Sequence, residues 1–234
     1  MKNSIADFRG HFNEVVESVE RFGIFVRARE LQMQSLAALE PLLKDCRENK
    51  EAAIKNLDDD AANAFFAFEC MTEALMEEFR FYLCLKDDIV DEAWDHLINA
   101  ESAASNAMKS HKVAAHLQSY VGRLHALECL LFPKPVFFST GWVVHASECS
   151  ICGAEYGECD HIKGRPYLGQ LCARIVKDGI VREVSAVSCP ADKRCRAMHF
   201  SEGEVWRNAF THQVVPTESV KSAPTPRSLE GRLM

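Results

Sequence analysis

The feature that most constrains this chain is a short segment of cysteines and a histidine in its second half. It has the spacing Cys149-x2-Cys152-x6-Cys159-x-His161. A Cys-x2-Cys turn directs two sulfurs to one centre, and a Cys and a His two residues apart in an extended stretch can complete a tetrahedron. Four such sulfur and nitrogen ligands are the usual set of a structural zinc site. The spacing therefore predicts a site resembling a zinc knuckle, with these four residues as ligands.

Three further cysteines follow this segment. Cys172 is a rival ligand, although it could instead pack inside a strand, and Cys189 and Cys195 are further candidates with weaker spacing. The alternative interpretation is that all of these are ordinary buried cysteines. A site closed by four protein ligands leaves no position for water, so its zinc would hold the fold rather than take part in chemistry.

The ten cysteines of the chain also bear on its compartment. No apolar run approaches the ~18–20 residues of a membrane span, and the N-terminal residues become charged too early for a secretory signal. We therefore expect a cytoplasmic protein without a membrane partner, in which crowded cysteines bind metal rather than form disulfides. The remaining four are expected to be small buried hydrophobes, namely Cys46, Cys70, Cys84 and Cys129.

The first part of the chain, residues 1–132, is predicted to be a helical bundle. Apolar residues recur at steps of three and four, which is typical of amphipathic helices. Ser4 is the predicted N-cap of the first helix, whose apolar face includes Phe8, Phe12 and Val19. A second helical run is predicted from Ile24 to about Cys46, interrupted by Pro41.

Acidic residues mark two further helix starts in this part. The run Asp58–Asp60 is predicted to cap a helix over residues 61–85, and Asp88 to cap the next one, with Asp91 in its first turn. A last helix is predicted to end before Pro133. An acidic cluster surrounds His96, and capping and solvation explain it better than metal binding or acid–base chemistry. Three helical histidines, His111, His116 and His125, are expected to lie at the surface or at a helix edge, because their spacing does not bring them together as ligands.

The pattern changes after Pro135, which makes the predicted fold class α+β. Residues 136–212 are predicted to form a β-rich, zinc-binding module, with a strand or two around Gly141. Two apolar runs joined at Asp178-Gly179 predict a hairpin, and a short helix is expected over residues 202–210. Residues 213–234 are rich in Pro, Ser and Thr and are predicted to be a disordered tail.

Charge is distributed unevenly along the chain. Residues 1–148 hold 15 basic and 24 acidic side chains, a net −9, whereas residues 149–234 hold 12 and 10, a net +2. The acidic part should repel nucleic acid, while the second part could tolerate it. The residues that could contact nucleic acid are Lys163, Arg165, Lys193, Arg194 and Arg196.

The string CSICGAEYGECDHIKGRPYLGQLC, followed by VREVSAVSCPADKRCR, resembles segments of uncharacterised bacterial and phage-associated proteins. The resemblance covers about residues 136–200, and its specific part is the Cys/His/Gly pattern. It implies a metal-binding segment of the CxxC…CxH type but carries no activity with it.

Three functions are compatible with these features. The first is a non-catalytic, zinc-stabilised adaptor that binds a protein partner or self-associates, and the lack of a recognisable catalytic motif favours it. The second is a nucleic-acid-binding accessory protein that uses the basic residues of the zinc module. The third is a zinc-dependent hydrolase, which would require an open coordination position near Cys172 or Cys189.

Overall fold

The computed structural model of the protein describes residues 4–217 and the backbone of residues 232–233. The described residues form an α+β fold, as the sequence predicted, with five α-helices in the N-terminal half and small antiparallel sheets in the C-terminal half. The chain divides into two compact units. The helical unit contains the residues up to 128 together with 161–172, and the β unit contains 129–160 together with the described residues from 173 onward.

The helical unit contains four complete α-helices and most of a fifth. These are α1 (Ile5–Glu20), α2 (Arg29–Lys55), α3 (Asp59–Lys86), α4 (Val90–Ser110) and α5 (Gln118–Leu131), with a 3₁₀ helix at Lys112–Leu117. Helix α3 is the most buried of them and packs against both α2 and α4. None of the described helices combines the length and hydropathy needed to cross a membrane.

The core of this unit joins α1 to α3 through aromatic side chains. Phe8 lies edge-on to Phe65 and Phe68, with ring centroids 5.1 and 5.2 Å apart, and Phe12 lies 4.8 Å from Phe68. Edge-to-face pairs of this kind add to the free energy gained by burying apolar area. Burial of Phe8, Phe12 and Val19 confirms the apolar face predicted for the first helix.

Two predicted helix caps are confirmed. The Ser4 hydroxyl accepts a hydrogen bond from the Asp7 N–H at 3.2 Å, and the Asp58 carboxylate accepts one from the Ala61 N–H at 3.1 Å. Each side chain satisfies a backbone donor that has no partner within its own helix.

The cap predicted at Asp88 is wrong. Asp88 adopts a left-handed conformation with a φ of 56°, and α4 begins only at Val90, after Ile89. The Ile89 N–H donates to the Cys84 carbonyl at 2.9 Å, so this connection closes the C-terminal end of α3. Asp88, which the sequence predicts as the start of α4, therefore belongs to the end of α3.

Helix α2 differs from the run predicted between Ile24 and Cys46. It begins at Arg29, continues to Lys55 and includes Pro41. The amide of Gln32 donates to the carbonyls of Phe22 and Ile24, both at 3.1 Å. Because these bonds hold the turn after α1 in a non-helical form, the second helix starts later than its apolar pattern suggests.

The β unit is dominated by two long strands. Strand β1 (Phe137–Cys149) pairs antiparallel with β4 (Arg174–Val187), and the start of β4 also pairs with β8 (Arg232–Leu233). A second sheet contains β5 (His199–Glu202), β6 (Val205–Asn208) and β7 (Val214–Val215). The predicted disordered tail, 213–234, lies mostly outside the described residues.

A small hairpin of β2 (Pro166–Tyr167) and β3 (Gln170–Leu171) belongs to the helical unit. The Leu168 N–H donates to the Asp59 carboxylate at 2.7 Å, and the Gly169 N–H donates to the Asn63 side chain at 2.8 Å. These bonds attach the turn of the hairpin to the first turns of α3.

Two predictions for the β unit are wrong. Asp178 and Gly179 do not form a turn but lie inside β4, opposite Ala146 and Val144. A Cβ at Gly179 would lie 3.0 Å from the Val143 carbonyl oxygen, so this glycine permits a close approach of β1 rather than a reversal of the chain. The helix expected over 202–210 is instead the β5–β6 hairpin, which turns at Gly203 with a φ of 64°. Around Gly141 there is one continuous strand, with a register shift before Trp142.

Candidate metal centre

The first half of the candidate site is a tight turn at the end of β1. The Cys149 N–H donates to the Ala154 carbonyl at 2.8 Å, and the Gly153 N–H donates to the Cys149 carbonyl at 2.9 Å. Gly153 has a φ of 73°, a left-handed conformation that glycine adopts without steric cost. The turn therefore encloses Cys149 and Cys152, the first two predicted ligands.

The second half returns along the end of the same strand. Glu155 pairs with Glu148, and the Tyr156 N–H donates to the Ser147 carbonyl at 2.9 Å. Gly157, with a φ of 111°, then redirects the chain toward Cys159. Backbone hydrogen bonds therefore shape this loop independently of a metal ion.

The four predicted ligands converge in this loop. One ligand atom from each of Cys149, Cys152, Cys159 and His161 lies within 4.8 Å of the others. Cys149 is buried, and its sulfur accepts a hydrogen bond from the Ile151 N–H at 3.4 Å. Such N–H···S bonds stabilise a sulfur that carries negative charge. The cluster could hold a metal ion.

His161 supplies an independent indication that a metal fits this cluster. Its Nδ1 atom is buried and has no hydrogen-bond partner within the described structure. Its ring lies edge-on to that of Tyr167, with centroids 4.7 Å apart and an interplanar angle of 87°. The Tyr167 hydroxyl in turn accepts a hydrogen bond from the Ile162 N–H at 3.0 Å. A buried ring nitrogen without a partner is costly, and coordination at this imidazole would offset that cost.

Tyr167 is a residue that the sequence analysis missed. It supports the imidazole of a ligand six positions before it, and both residues lie in the segment attached to α3. Nothing in the spacing distinguishes such an aromatic residue from one that packs in a core. Only the fold of the β2–β3 hairpin reveals its role.

The other three cysteines of this region lie outside the cluster. Cys172, the rival ligand, is buried, and its backbone is bonded to Arg165 and Gly164 at 2.8 Å each. Cys189 and Cys195 are both exposed. The structure groups none of these three with the four predicted ligands.

The five basic residues predicted to contact nucleic acid have different environments. Lys163 and Arg165 are exposed in the helical unit, and Lys193 is half-buried in the β unit. The exposed Arg194 pairs with Asp192 at 2.8 Å and holds the pKa of that carboxyl below its usual value. Arg196 is only 6% exposed, with its guanidinium 4.0 Å from the centre of the Phe210 ring. Stacking on Phe210 removes Arg196 from the set of accessible cations.

Two further groups of metal-ligating side chains lie in the helical unit, each with ligand atoms within 4.8 Å of one another. One contains Cys84, Glu92 and His96, and the other contains Glu101, His125 and Glu128. The sequence predicted a solvated or capping environment for His96 and a surface or helix-edge position for His125. It did not associate Cys84 with either, because these groups form only when separate helices pack. His111 does have a capping role, since its Nδ1 accepts a hydrogen bond from the Val113 N–H at 3.2 Å.

Comparisons with known proteins give no match to any family model, any curated protein or any solved structure.

Proposed function

We propose that the protein is a non-catalytic adaptor, stabilised by zinc, that serves a bacterial or phage-associated system through a protein partner. The observation that carries this proposal is the cluster of three thiols and one imidazole in a single loop. This donor set suits zinc and disfavours magnesium or calcium, which take oxygen ligands. Four protein ligands also close the coordination sphere, which is characteristic of a structural rather than a catalytic metal.

Backbone hydrogen bonds shape the loop, but it has no buried core of its own. Among its residues 150–160, none is buried and none belongs to a helix or strand. A zinc ion would take the place of a hydrophobic core and would fix the end of β1, where Cys149 lies opposite Arg174 of β4. The metal would thereby align the two long strands from one end.

The β1–β4 ribbon, meaning the paired strands Phe137–Cys149 and Arg174–Val187, is the surface that favours an adaptor. Trp142 lies opposite Val181, and Val143 lies opposite Ile180; these four side chains are 38% to 51% exposed. Val184 is 64% exposed. Trp142 and Val181 lie on one face of the ribbon and Val143 and Ile180 on the other, because successive side chains of a strand point to opposite faces. A two-stranded ribbon is marginally stable alone, and exposed apolar side chains on it mark an interaction surface. A protein that covers these side chains, either another chain or a second copy, is the proposed partner.

The zinc part of the proposal is tested with two matched cysteine variants of the purified protein. Cys152 and Cys189 are both exposed, but only Cys152 belongs to the cluster. We expect Cys152→Ser to lose the tightly bound zinc and Cys189→Ser to keep it, as measured by elemental analysis after dialysis. Zinc retained at full occupancy and affinity in Cys152→Ser would contradict the ligand assignment.

The adaptor part is tested by isolating the tagged protein from its native cell. A stoichiometric protein partner is expected. Val184→Lys on the ribbon should release it, whereas Val214→Lys, on β7 and similarly exposed at 62%, should not. If nucleic acid co-elutes and salt removes it, the result would favour a nucleic-acid-binding accessory protein over an adaptor. If the protein eluted alone with zinc, the adaptor would be abandoned and hydrolase activity would be assayed.

A further inference from the structure

The junction of α3 and α4 brings together three side chains of metal-binding chemistry. Glu92 and His96 are four residues apart on α4 and therefore share one face of that helix. Cys84 comes from the last turn of α3, just before the short connection to α4. One ligand atom of each lies within 4.8 Å of the other two.

His96 is held by a group outside this set. Its Nδ1 lies 2.7 Å from a carboxylate oxygen of Glu77, which also accepts a hydrogen bond from Asn99 at 3.1 Å. Arg80 contacts the other carboxylate oxygen at 2.5 Å. Asn99 and Arg80 therefore fix the Glu77 carboxylate beside the His96 ring.

The Glu77 carboxylate engages Nδ1 of His96, which leaves Nε2 as the ring nitrogen available to a metal ion. A carboxylate bonded to the distal nitrogen is the usual support of a metal-binding histidine, because it fixes both the tautomer and the orientation of the ring. Glu77 gives His96 this support.

We propose that Cys84, Glu92 and His96 bind a second Zn²⁺ ion, with Glu77 as the positioning residue. A thiolate, an imidazole and a carboxylate together match the ligands that zinc accepts, whereas magnesium and calcium would not use the first two. Zinc binding displaces the Cys84 thiol proton to solvent. Three protein ligands leave one position, which water occupies. This site lies beyond the proposed adaptor function, which concerns only the loop at 149–161.

Cobalt titration of the full-length, metal-free protein distinguishes the two sites. The loop offers three thiols and the α3–α4 site offers one, so the sulfur-to-cobalt absorption per ion should be stronger for the first site. We expect two ions per chain, with the second bound more weakly because it has fewer ligands and is partly exposed. Zinc should displace both.

Variants assign the second ion to its ligands. Cys84→Ser and Glu92→Gln should each lower its affinity at least tenfold, whereas Asp88→Asn, a matched loss of an exposed carboxylate in the adjoining connection, should not. Glu77→Gln should weaken it by about 10- to 100-fold yet leave the sulfur-to-cobalt absorption intact at saturating metal, which a purely structural role would not produce.

The proposals for the two metal sites can be tested independently. Cys152→Ser should remove the first ion and leave the second, so loss of the loop site does not affect this proposal. Binding of a single ion by the unaltered chain would overturn it. So would a second ion whose affinity is unchanged in both Cys84→Ser and Glu92→Gln, since that ion would then lie elsewhere.

Discussion

Arg29 and Arg123 show how the burial of a partner decides what an ion pair contributes. Both arginine side chains are 42% exposed. Arg29 pairs with Asp87 at 2.5 Å, and that carboxylate is 40% exposed. Arg123 forms two hydrogen bonds with Glu78, which is 1% exposed, and it also donates to the Gly23 carbonyl at 3.2 Å. Only the second pair neutralises a charge that water cannot reach.

We therefore expect Arg123→Met to lower the free energy of unfolding by roughly 3–5 kcal/mol, because it leaves the Glu78 carboxylate buried without its counter-charge. The matched variant Arg29→Met should leave it almost unchanged, because water solvates Asp87. Urea denaturation of both variants measures the difference. Equal losses would show that burial of the partner does not govern these pairs.

The individual residues of the candidate site differ in whether the sequence could predict them. The grouping of the four candidate ligands in the loop was predictable because their spacing is local, so the chain needs only a turn to bring them together. Tyr167 was not predictable, because its position depends on bonds between the β2–β3 hairpin and α3. The grouping of Cys84 with Glu92 and His96 was not predicted for a similar reason, since those two residues lie on the next helix.

Helix α2 is an element whose sequence contains an internal conflict. Pro41 lies near its middle, is exposed, and has no N–H to donate to the preceding turn. Leu39 and Leu42 on either side are buried against the core, at 0% and 1% exposure. Tertiary packing on both sides of the proline thus keeps the helix continuous despite the lost hydrogen bond.

Replacing this proline should stabilise the element. We expect Pro41→Ala to raise the free energy of unfolding by roughly 2–3 kcal/mol: about 3 kcal/mol from the restored helix interior, less up to ~1 kcal/mol because the unfolded chain gains freedom. Lys44→Ala, at an exposed position in the same helix, should change it by less than about 0.5 kcal/mol. A decrease for Pro41→Ala in thermal or urea unfolding would contradict this account.

Helix starts and turns were predictable where local sequence signals and tertiary packing agree. The α1 and α3 starts follow from Ser4 and Asp58, whose side chains bond within their own helices. The Asp178-Gly179 pair failed as a turn because its glycine serves the close approach of a neighbouring strand, and no local pattern distinguishes the two uses. The N-cap prediction at Asp88 failed because the end of α3 and the start of α4 compete for the same residues.

At the scale of the whole molecule, the two units differ in what holds them together. The helical unit has a continuous core that includes Phe65, Phe68 and Phe79, each no more than 1% exposed. In the β unit the long ribbon exposes much of its apolar surface, and the loop at its end contains three of the four candidate metal ligands, Cys149, Cys152 and Cys159. Burial stabilises the first unit, while the second depends on strand pairing and, under the proposed function, on a bound ion.

Removal of the metal should therefore affect the two units differently. After treatment with a zinc chelator, we expect the amides of β1 and β4 to lose protection from hydrogen exchange, beginning at the end that contains Cys149 and Arg174. The amides in the middle of α3 should keep their protection, because the core around them needs no metal. Added Zn²⁺ should restore the ribbon, and Mg²⁺ should not. Cys84→Ser should show the same loss, since the ion that aligns the ribbon is the one in the loop. Protection of the ribbon that survives complete removal of zinc would mean that strand pairing alone maintains it.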